Sequence, residues 1–329
     1  MKLYSFPVLV LVLVFGLVPS AFAGEIRRIS VSDFEGSMEK FYREFASAPV
    51  IVSDTFAEDP TIQNLSLDQV EEYFKNNSLY GYNRKNDALG RIRERIPGEV
   101  FFADLKNGAS QYYVFDHEVS ESPFAGKFAV PPFLNQNWLA DSYGLNLTLS
   151  GKGSFTPFHE DGSGEQAWMY LVFGEKHWVI YPPTCRPLVW DSFYKDFYNP
   201  RTSDRSRYPF LNCAEAEQVT AVAKKGDLIF VPPGWIHQVL TAEDSFGIGG
   251  NILNEFQALA SVETGLNEKS HALRHDFDLV ALVREKTNQT LTEYGCDQVN
   301  RAIELIDAWQ RRIRNKSDDL LPRTAGTGS

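Results

Sequence analysis

The sequence predicts a mainly β domain, a sandwich or barrel of short strands, flanked by helices at both ends. Between about Val100 and Ile252, short runs of β-forming residues are punctuated by Gly and Pro turns. Ahead of that stretch, cap residues and apolar residues at three- and four-residue spacing mark helices. Behind it, Val299, Ala302, Ile303, Ile306, Trp309 and Ile313 keep one apolar helical face. With 43% hydrophobic and 13% aromatic residues among 329, the chain can bury one large core or two modest ones.

Each element has a local reason. Ser32 with Glu35 reads as a capping box opening a helix in which Phe34, Met38, Phe41, Tyr42 and Phe45 share a face. Pro49-Val50-Ile51-Val52 reads as a short buried strand, and Ser66 with Gln69 caps a second helix through about Phe74. Leu145, Leu147 and Leu149 alternate with Asn146, Thr148 and Ser150, the signature of a strand with one apolar face. Trp168 to Phe173, a Gly174-Glu175 turn, and Lys176 to Tyr181 read as a hairpin. Leu228 to Val231 and His237 to Leu240 flank the turn Pro232-Pro233-Gly234-Trp235. The polar stretch from Pro183 to Gln218 reads as a long insertion, a functional lid or a variable surface loop. The C-terminal apolar helix either packs on the β domain or pairs two subunits as a homodimer.

These readings divide the chain into a signal peptide (1–23), an N-terminal helix and strand segment (24–99), the β core (100–255), C-terminal helices (256–317) and a disordered tail (318–329). The first segment has an early Lys2, an apolar run through about Val18, and Ala21-Phe22-Ala23 before Gly24, an A-x-A cleavage pattern. Pro19 interrupts a run shorter than the roughly 20 residues a span needs, so cleavage is expected over anchoring. No later stretch is apolar for long enough to cross a bilayer. The expected location is the secretory pathway, in the endoplasmic reticulum lumen or outside the cell. Sequons at Asn64, Asn76, Asn146, Asn288 and Asn315 are compatible with that route. The net charge of -11, with no dense Lys/Arg block, argues against nucleic acid as a direct partner. Three cysteines are too few for a disulfide scaffold, although Cys185 and Cys213 flank the insertion and are placed to bridge it, with Cys296 apart.

Only six histidines occur, at 117, 159, 177, 237, 271 and 275. In Thr156-Pro157-Phe158-His159-Glu160-Asp161, an extended strand would project His159 and Asp161 to one face and Glu160 to the other. His237 follows the Pro-Pro-Gly-Trp turn. Two imidazoles and one carboxylate on one face of an octahedron leave three positions open, the arrangement of non-haem iron(II) oxygenases, where a bidentate 2-oxo acid and dioxygen have room. The other reading of the same residues is a core histidine satisfied by its neighbouring carboxylate.

Three blocks then resemble the Jumonji-C family of 2-oxoglutarate oxygenases, in the family's order: Gly153 to Asp161, Gly174-Glu175-Lys176-His177-Trp178 with Tyr181-Pro182-Pro183, and Gly226 to Val239. The resemblance runs over roughly residues 25 to 255. It implies a double-stranded β-helix, a cupin-like jelly roll with helices at its N- and C-terminal sides. It implies that His159, Asp161 and His237 hold iron(II), with 2-oxoglutarate as co-substrate and dioxygen as oxidant. It further implies that Lys176 pairs with the distal carboxylate of 2-oxoglutarate, that Thr156 hydrogen-bonds the same group, and that Asn146 and Asn251 line the pocket. Met169 departs from the pattern where several relatives present a polar side chain, so a polar contact is lost or comes from another strand. The implied activity is hydroxylation of a side chain of a secreted or lumenal protein; the alternatives are N-methyl demethylation and a catalytically silent cupin-type binding module.

Overall fold

The computed structural model describes residues 24–83, 93–108, 111–139, 144–193, 195–267, 279–287, 289 and 291–320. Along the chain come β1 (Gly24–Glu25), β2 (Arg27–Ile29), α1 (Met38–Glu44), β3 (Val50–Val52), α2 (Pro60–Gln63), α3 (Leu67–Phe74), β4 (Ser78–Asn83), β5 (Arg93–Pro97), α4 (Gly98–Lys106), β6 (Tyr112–Glu118), β7 (Asn146–Ser150) and β8 (Phe155–His159). After them come β9 (Gln166–Tyr181), α5 (Arg186–Val189), β10 (Trp190–Asp191), β11 (Asp196–Phe197), α6 (Leu211–Ala216), β12 (Val219–Lys224), β13 (Leu228–Val231), β14 (Ile236–Ile252), α7 (Ala258–Asn267), α8 (Leu279–Lys286) and α9 (Glu293–Leu320). Residues 1–23, which the sequence analysis expects to be a signal peptide, His271, His275 and residues 321–329 lie outside the described residues.

One sheet of 12 strands runs β2-β3-β13-β9-β14-β7-β6-β4-β5, with β12 also on β9, β1 on β12 and β8 on β14. Its axis is the antiparallel pair of long strands β9 and β14, in register from Tyr181 opposite Ile236 to Gln166 opposite Ile252. The hairpin read over Trp168 to Tyr181 is therefore a single strand. Gly174 makes a bend rather than a turn: its φ is +92°, and a Cβ there would stand 2.4 Å from the Asp244 carbonyl oxygen. Register shifts in β14 between Thr241 and Phe246 absorb the same bend. On its second edge β9 pairs β13 through Ala167 to Tyr170 and β12 through Glu175 to Ile180. Two bent strands serving both halves are what wrap the sheet into the jelly roll, with helices at either end.

Two other expectations shift. The β rhythm begins before residue 100, with β4 and β5, while Val100 lies in α4, where Phe101, Phe102 and Leu105 bury a helical stripe. The capping box sits two residues earlier than expected: Ser30 with Asp33 closes a single 3₁₀ turn, Val31–Phe34, and Ser37 caps α1 separately. Glu35, at φ 57°, and Gly36, at φ 66°, break the continuous helix that the apolar spacing suggested. The shared face survives the break, since Phe34, Phe41, Tyr42 and Phe45 are all buried in one cluster.

The Val50-Ile51-Val52 run is apolar throughout because both sides of β3 are covered. Val50 and Val52 face the helix-side core with Phe230, while Ile51 faces the opposite core with Ile229, Val231, Trp178 and Trp235. At the C-terminal side, Val299, Ala302 and Ile306 of α9 pack with Val262 of α7, Leu279 and Val283 of α8, and Leu253. The apolar stripe of α9 is thus used within the chain over these residues. The insertion forms its own small unit: the β10–β11 hairpin, α5 and α6 bury Val189, Tyr208, Leu211 and Ala214 against Phe158, Tyr181 and Ile236. Cys185 is a buried free thiol in that unit, pushed up to about 11 by burial, and Cys213 and Cys296 are exposed free thiols. Among the described residues no helix is long and apolar enough to cross a membrane.

The bend at Gly174 gives a stability prediction. Gly174→Ala is expected to lose more than the roughly 1–2 kcal/mol that positive φ costs a side chain. Gly226→Ala, at φ +91° with nothing within 4 Å of the added Cβ, is expected to lose only that backbone part. Urea unfolding of both variants against wild type measures the difference.

Candidate metal centre and its cavity

The pairing of β8 with β14 sets His237 directly opposite His159, and their ring centroids lie 4.2 Å apart. Each ring is oriented the same way. His159 Nδ1 is 2.9 Å from the Pro157 carbonyl oxygen and His237 Nδ1 is 3.0 Å from that of Trp235. A carbonyl oxygen only accepts, so Nδ1 carries the proton in both rings and Nε2 keeps its lone pair free for a metal. Asp161 follows two residues after His159 with its Oδ2 3.8 Å from His237 Nε2, too far for a direct hydrogen bond. One ligand atom from each of His159, Asp161 and His237 falls within 4.8 Å of the others, close to the roughly 3–4 Å separations of donors that each sit about 2 Å from a common ion. The reading of a core histidine satisfied by its carboxylate is disfavoured by these distances.

Burial, with a lesser push from neighbouring His159 and a partial offset by Asp161, brings His237 down to about 4, so its ring is neutral at physiological pH. Neutral imidazole is the form that ligates. Glu160 points the other way, as the strand alternation requires. Its side chain, 5% exposed, forms an ion pair with Arg186 at the start of α5. The Arg186 guanidinium stacks over the rings of Trp190, 5.1 Å from its centroid, and Phe197, 5.5 Å away. The ligand loop is therefore fastened to the insertion from behind.

The triad lines a cavity that opens to solvent. Thr156, Asn146 and Asn251 also line it, as does Met169, which contributes an apolar wall. Polar groups around Met169 come from Asn146 and Thr148 on β7 and Asn251 on β14. Asn251 Nδ2 donates to Glu165 Oε2 at 2.7 Å. Lys176, 1% exposed, is not itself a lining residue: its Nζ donates to Ser150 Oγ at 2.8 Å and Thr241 Oγ1 at 3.1 Å, 5.7 Å from the Tyr113 ring centroid. Thr156 Oγ1 donates to the Tyr113 hydroxyl at 2.9 Å. An ammonium with two adjacent hydroxyls fits the carboxylate end of an anionic co-substrate.

Tyr113 and Asp116, both on β6 and both lining the cavity, were not singled out from the sequence. Their strand meets the site only through its pairing with β7, where Tyr113 lies opposite Ser150. Burial raises the Asp116 carboxyl to about 6, against a partial pull downward from Arg93. The other described histidines have structural settings: the buried His117 accepts at Nδ1 from the Tyr80 backbone N–H, and His177 pairs with Glu175 at the surface.

A sequence profile of the cupin-like domain family matches residues 38–253. The 2-oxoglutarate and iron-dependent oxygenase JMJD4 of Gallus gallus is 31% identical over 182 residues, 49% of this chain and 42% of the relative. Its counterpart in Danio rerio is 26% identical over 248 residues, 65% of this chain and 58% of the relative. The arginine-specific demethylase JMJ20 of Arabidopsis thaliana is 28% identical over 162 residues, 43% of this chain and 35% of the relative. The matched stretches thus span roughly half of these relatives' own lengths.

Two outcomes are expected at the centre. Arg186→Met should weaken Mn(II) binding by roughly 10- to 100-fold in calorimetric titration, as loss of outer support does to other metal sites. In metal-free protein, the unfolded chain protonates His237 near pH 6.5 while the folded chain resists down to about pH 4. Protons then favour the unfolded state, so stability should fall as pH drops through that window. Denaturant midpoints measured with chelator should follow this slope, and His237→Gln should flatten it.

Proposed function

This chain belongs to the cupin-like domain family, in its Jumonji-C group, and we propose on that premise that it is an iron(II)- and 2-oxoglutarate-dependent oxygenase that hydroxylates a side chain of a protein in the secretory pathway. The observation that carries the reading is the pair of cross-strand histidines, each held by a carbonyl at Nδ1 so that Nε2 turns to Asp161.

His159, Asp161 and His237 would hold the metal. When bound, iron(II) and 2-oxoglutarate activate dioxygen together, with loss of carbon dioxide leaving succinate and one oxygen atom going to a C–H bond. The Lys176 ammonium, with the hydroxyls of Tyr113 and Thr156, receives the far carboxylate of 2-oxoglutarate and fixes which end meets the triad. Trp178, Val231 and Val239 supply an apolar wall that limits water at the reacting atoms. Glu160 and Arg186 keep the ligand loop from shifting.

The secretory address is supported by the N-terminal Lys2, the apolar run and the Ala-x-Ala pattern, and by the exposed sequon residues Asn64 and Asn76. A second reading, N-methyl demethylation, is favoured by relatives named arginine-specific demethylases. The same residues serve both chemistries; the products differ, with formaldehyde released only by the second.

Purified protein with iron(II) is expected to convert 2-oxoglutarate to succinate, and His159→Ala is not; equal conversion by both overturns the proposal. Lys176→Met should raise the KM for 2-oxoglutarate by roughly 10- to 100-fold, the worth of a hydrogen bond to a charged group. Glycan mapping of protein expressed through a eukaryotic secretory route should find Asn64 and Asn76 occupied and Asn146, which lines the cavity, bare.

A further inference from the structure

After the last strand the chain comes back to the metal centre. Helix α7, which follows β14, packs on the loop after Asp161 and on the turn before His237. Gly164 closes the 3₁₀ turn Gly162–Gly164 that Asp161 opens, and a Cβ there would run into the Ser261 backbone, with the carbonyl carbon at 2.8 Å and Cα at 2.9 Å. Gly234 stands in the turn that leads into His237, and a Cβ there would lie 2.7 Å from Thr264 Oγ1 and 3.4 Å from its Cγ2. Both glycines hold positive φ, +73° and +75°. Ser261 and Thr264 are three residues apart on the helix, so one face of α7 meets both ligand loops. Ala258 and Val262 turn instead to Leu279 and Val283 of α8 and to Val299 and Ala302 of α9, which back the helix from behind.

Strand pairing places only two of the three ligands. His159 and His237 are cross-strand partners, whereas Asp161 lies beyond the end of β8. The position of its carboxylate, 3.8 Å from His237 Nε2, depends on what holds the loop. Glu160 ties the loop to Arg186 on one side, and Gly164 seats its far end on α7. A metal needs its donors together, each about 2 Å from the ion, so a drift of either loop against the other costs affinity even when every ligand is present. One rigid helix in contact with both loops fixes that separation. Thr264 suits the contact because a β-branched side chain is stiff at χ1 and has little freedom to swing clear.

We propose that α7 is the positioning element that holds the Asp161 loop and the His237 turn at one separation, with Ser261 its backbone contact and Thr264 its side-chain contact. This rests on the metal-centre reading above. Thr264 is a positioning residue that acts through Gly234.

The test is the Mn(II) affinity of metal-free protein in calorimetric titration, with circular dichroism showing that each variant is folded under the conditions used. Gly234→Ala is expected to bind Mn(II) roughly 10- to 100-fold more weakly than wild type, the usual loss when support outside the ligands goes. Gly226→Ala has a similar positive φ with open space around it and should bind as wild type does. Thr264→Ala should weaken binding severalfold, and Thr264→Val, which keeps the shape, should not. Combining Gly234→Ala with Thr264→Ala moves the methyl group across the contact, and affinity should return to within a few-fold of wild type. Gly164→Ala should lose affinity too, without rescue by Ser261→Ala, because the obstruction there is backbone. Single-variant losses that simply add in the Gly234 and Thr264 double variant, or folded single variants with wild-type affinity, overturn the proposal. Should Gly234→Ala fail to fold, Thr264→Ala against Thr264→Val decides alone, and equal affinities overturn it. Wild type that takes up no Mn(II) overturns the metal centre itself, and the proposal with it.

Discussion

The metal centre depends on the antiparallel register that sets His237 opposite His159. Side chains on a strand alternate between faces, so a slip of β14 by one residue against β8 would send the His237 ring out of the cavity and leave Gln238 in its place. The three residue pairs between β8 and β14, already shifted between His237 and Val239, are a weak guard against such a slip. The guard is the long pairing of β14 with β9, anchored at both ends by large buried side chains and pinned in the middle where Gly174 meets Asp244. The fold therefore spends its longest ladder on holding one imidazole, and the carbonyls of Pro157 and Trp235 then fix how each ring is turned.

The insertion takes part in the same constraint from outside the barrel. Arg186 reaches Glu160, the residue between the two ligands of the first motif, and is itself sandwiched by rings of the β10–β11 hairpin. Asp191 and Asp196 of that hairpin are held by Arg207 at 2.8 Å, so the hairpin is braced from its other side. The arrangement makes the segment between Pro183 and Gln218 a brace for the ligand loop.

What could be read in advance follows from how local each signal was. His159, Glu160 and Asp161 are neighbours in sequence, so strand alternation alone places them, and the outward Glu160 agrees with it. The apolar run of β3 announced a strand covered on both faces. The hairpin over Gly174 was misread because a glycine after an apolar run signals a turn and a sharp bend alike, and only the partner strand decides. Asp116 and Tyr113 gave no signal because they reach the cavity through a pairing with β7 that spans dozens of residues. Lys176 was singled out as a carboxylate partner, and its burial among Ser150 and Thr241 could not have been read from the strand it occupies.

The charges around the cavity bear on what else enters it. A dicationic metal, the dianion of 2-oxoglutarate, the Asp161 carboxylate and the Lys176 ammonium cancel one another. Asp116 adds a further carboxylate to the wall, its proton affinity raised by burial and partly lowered by Arg93. A charge left over in a half-buried wall is costly when the cavity closes around a substrate, because the water that screened it is displaced. The same strand that sets the Tyr113 hydroxyl against Thr156 therefore also sets a carboxylate in the cavity wall, three residues further along.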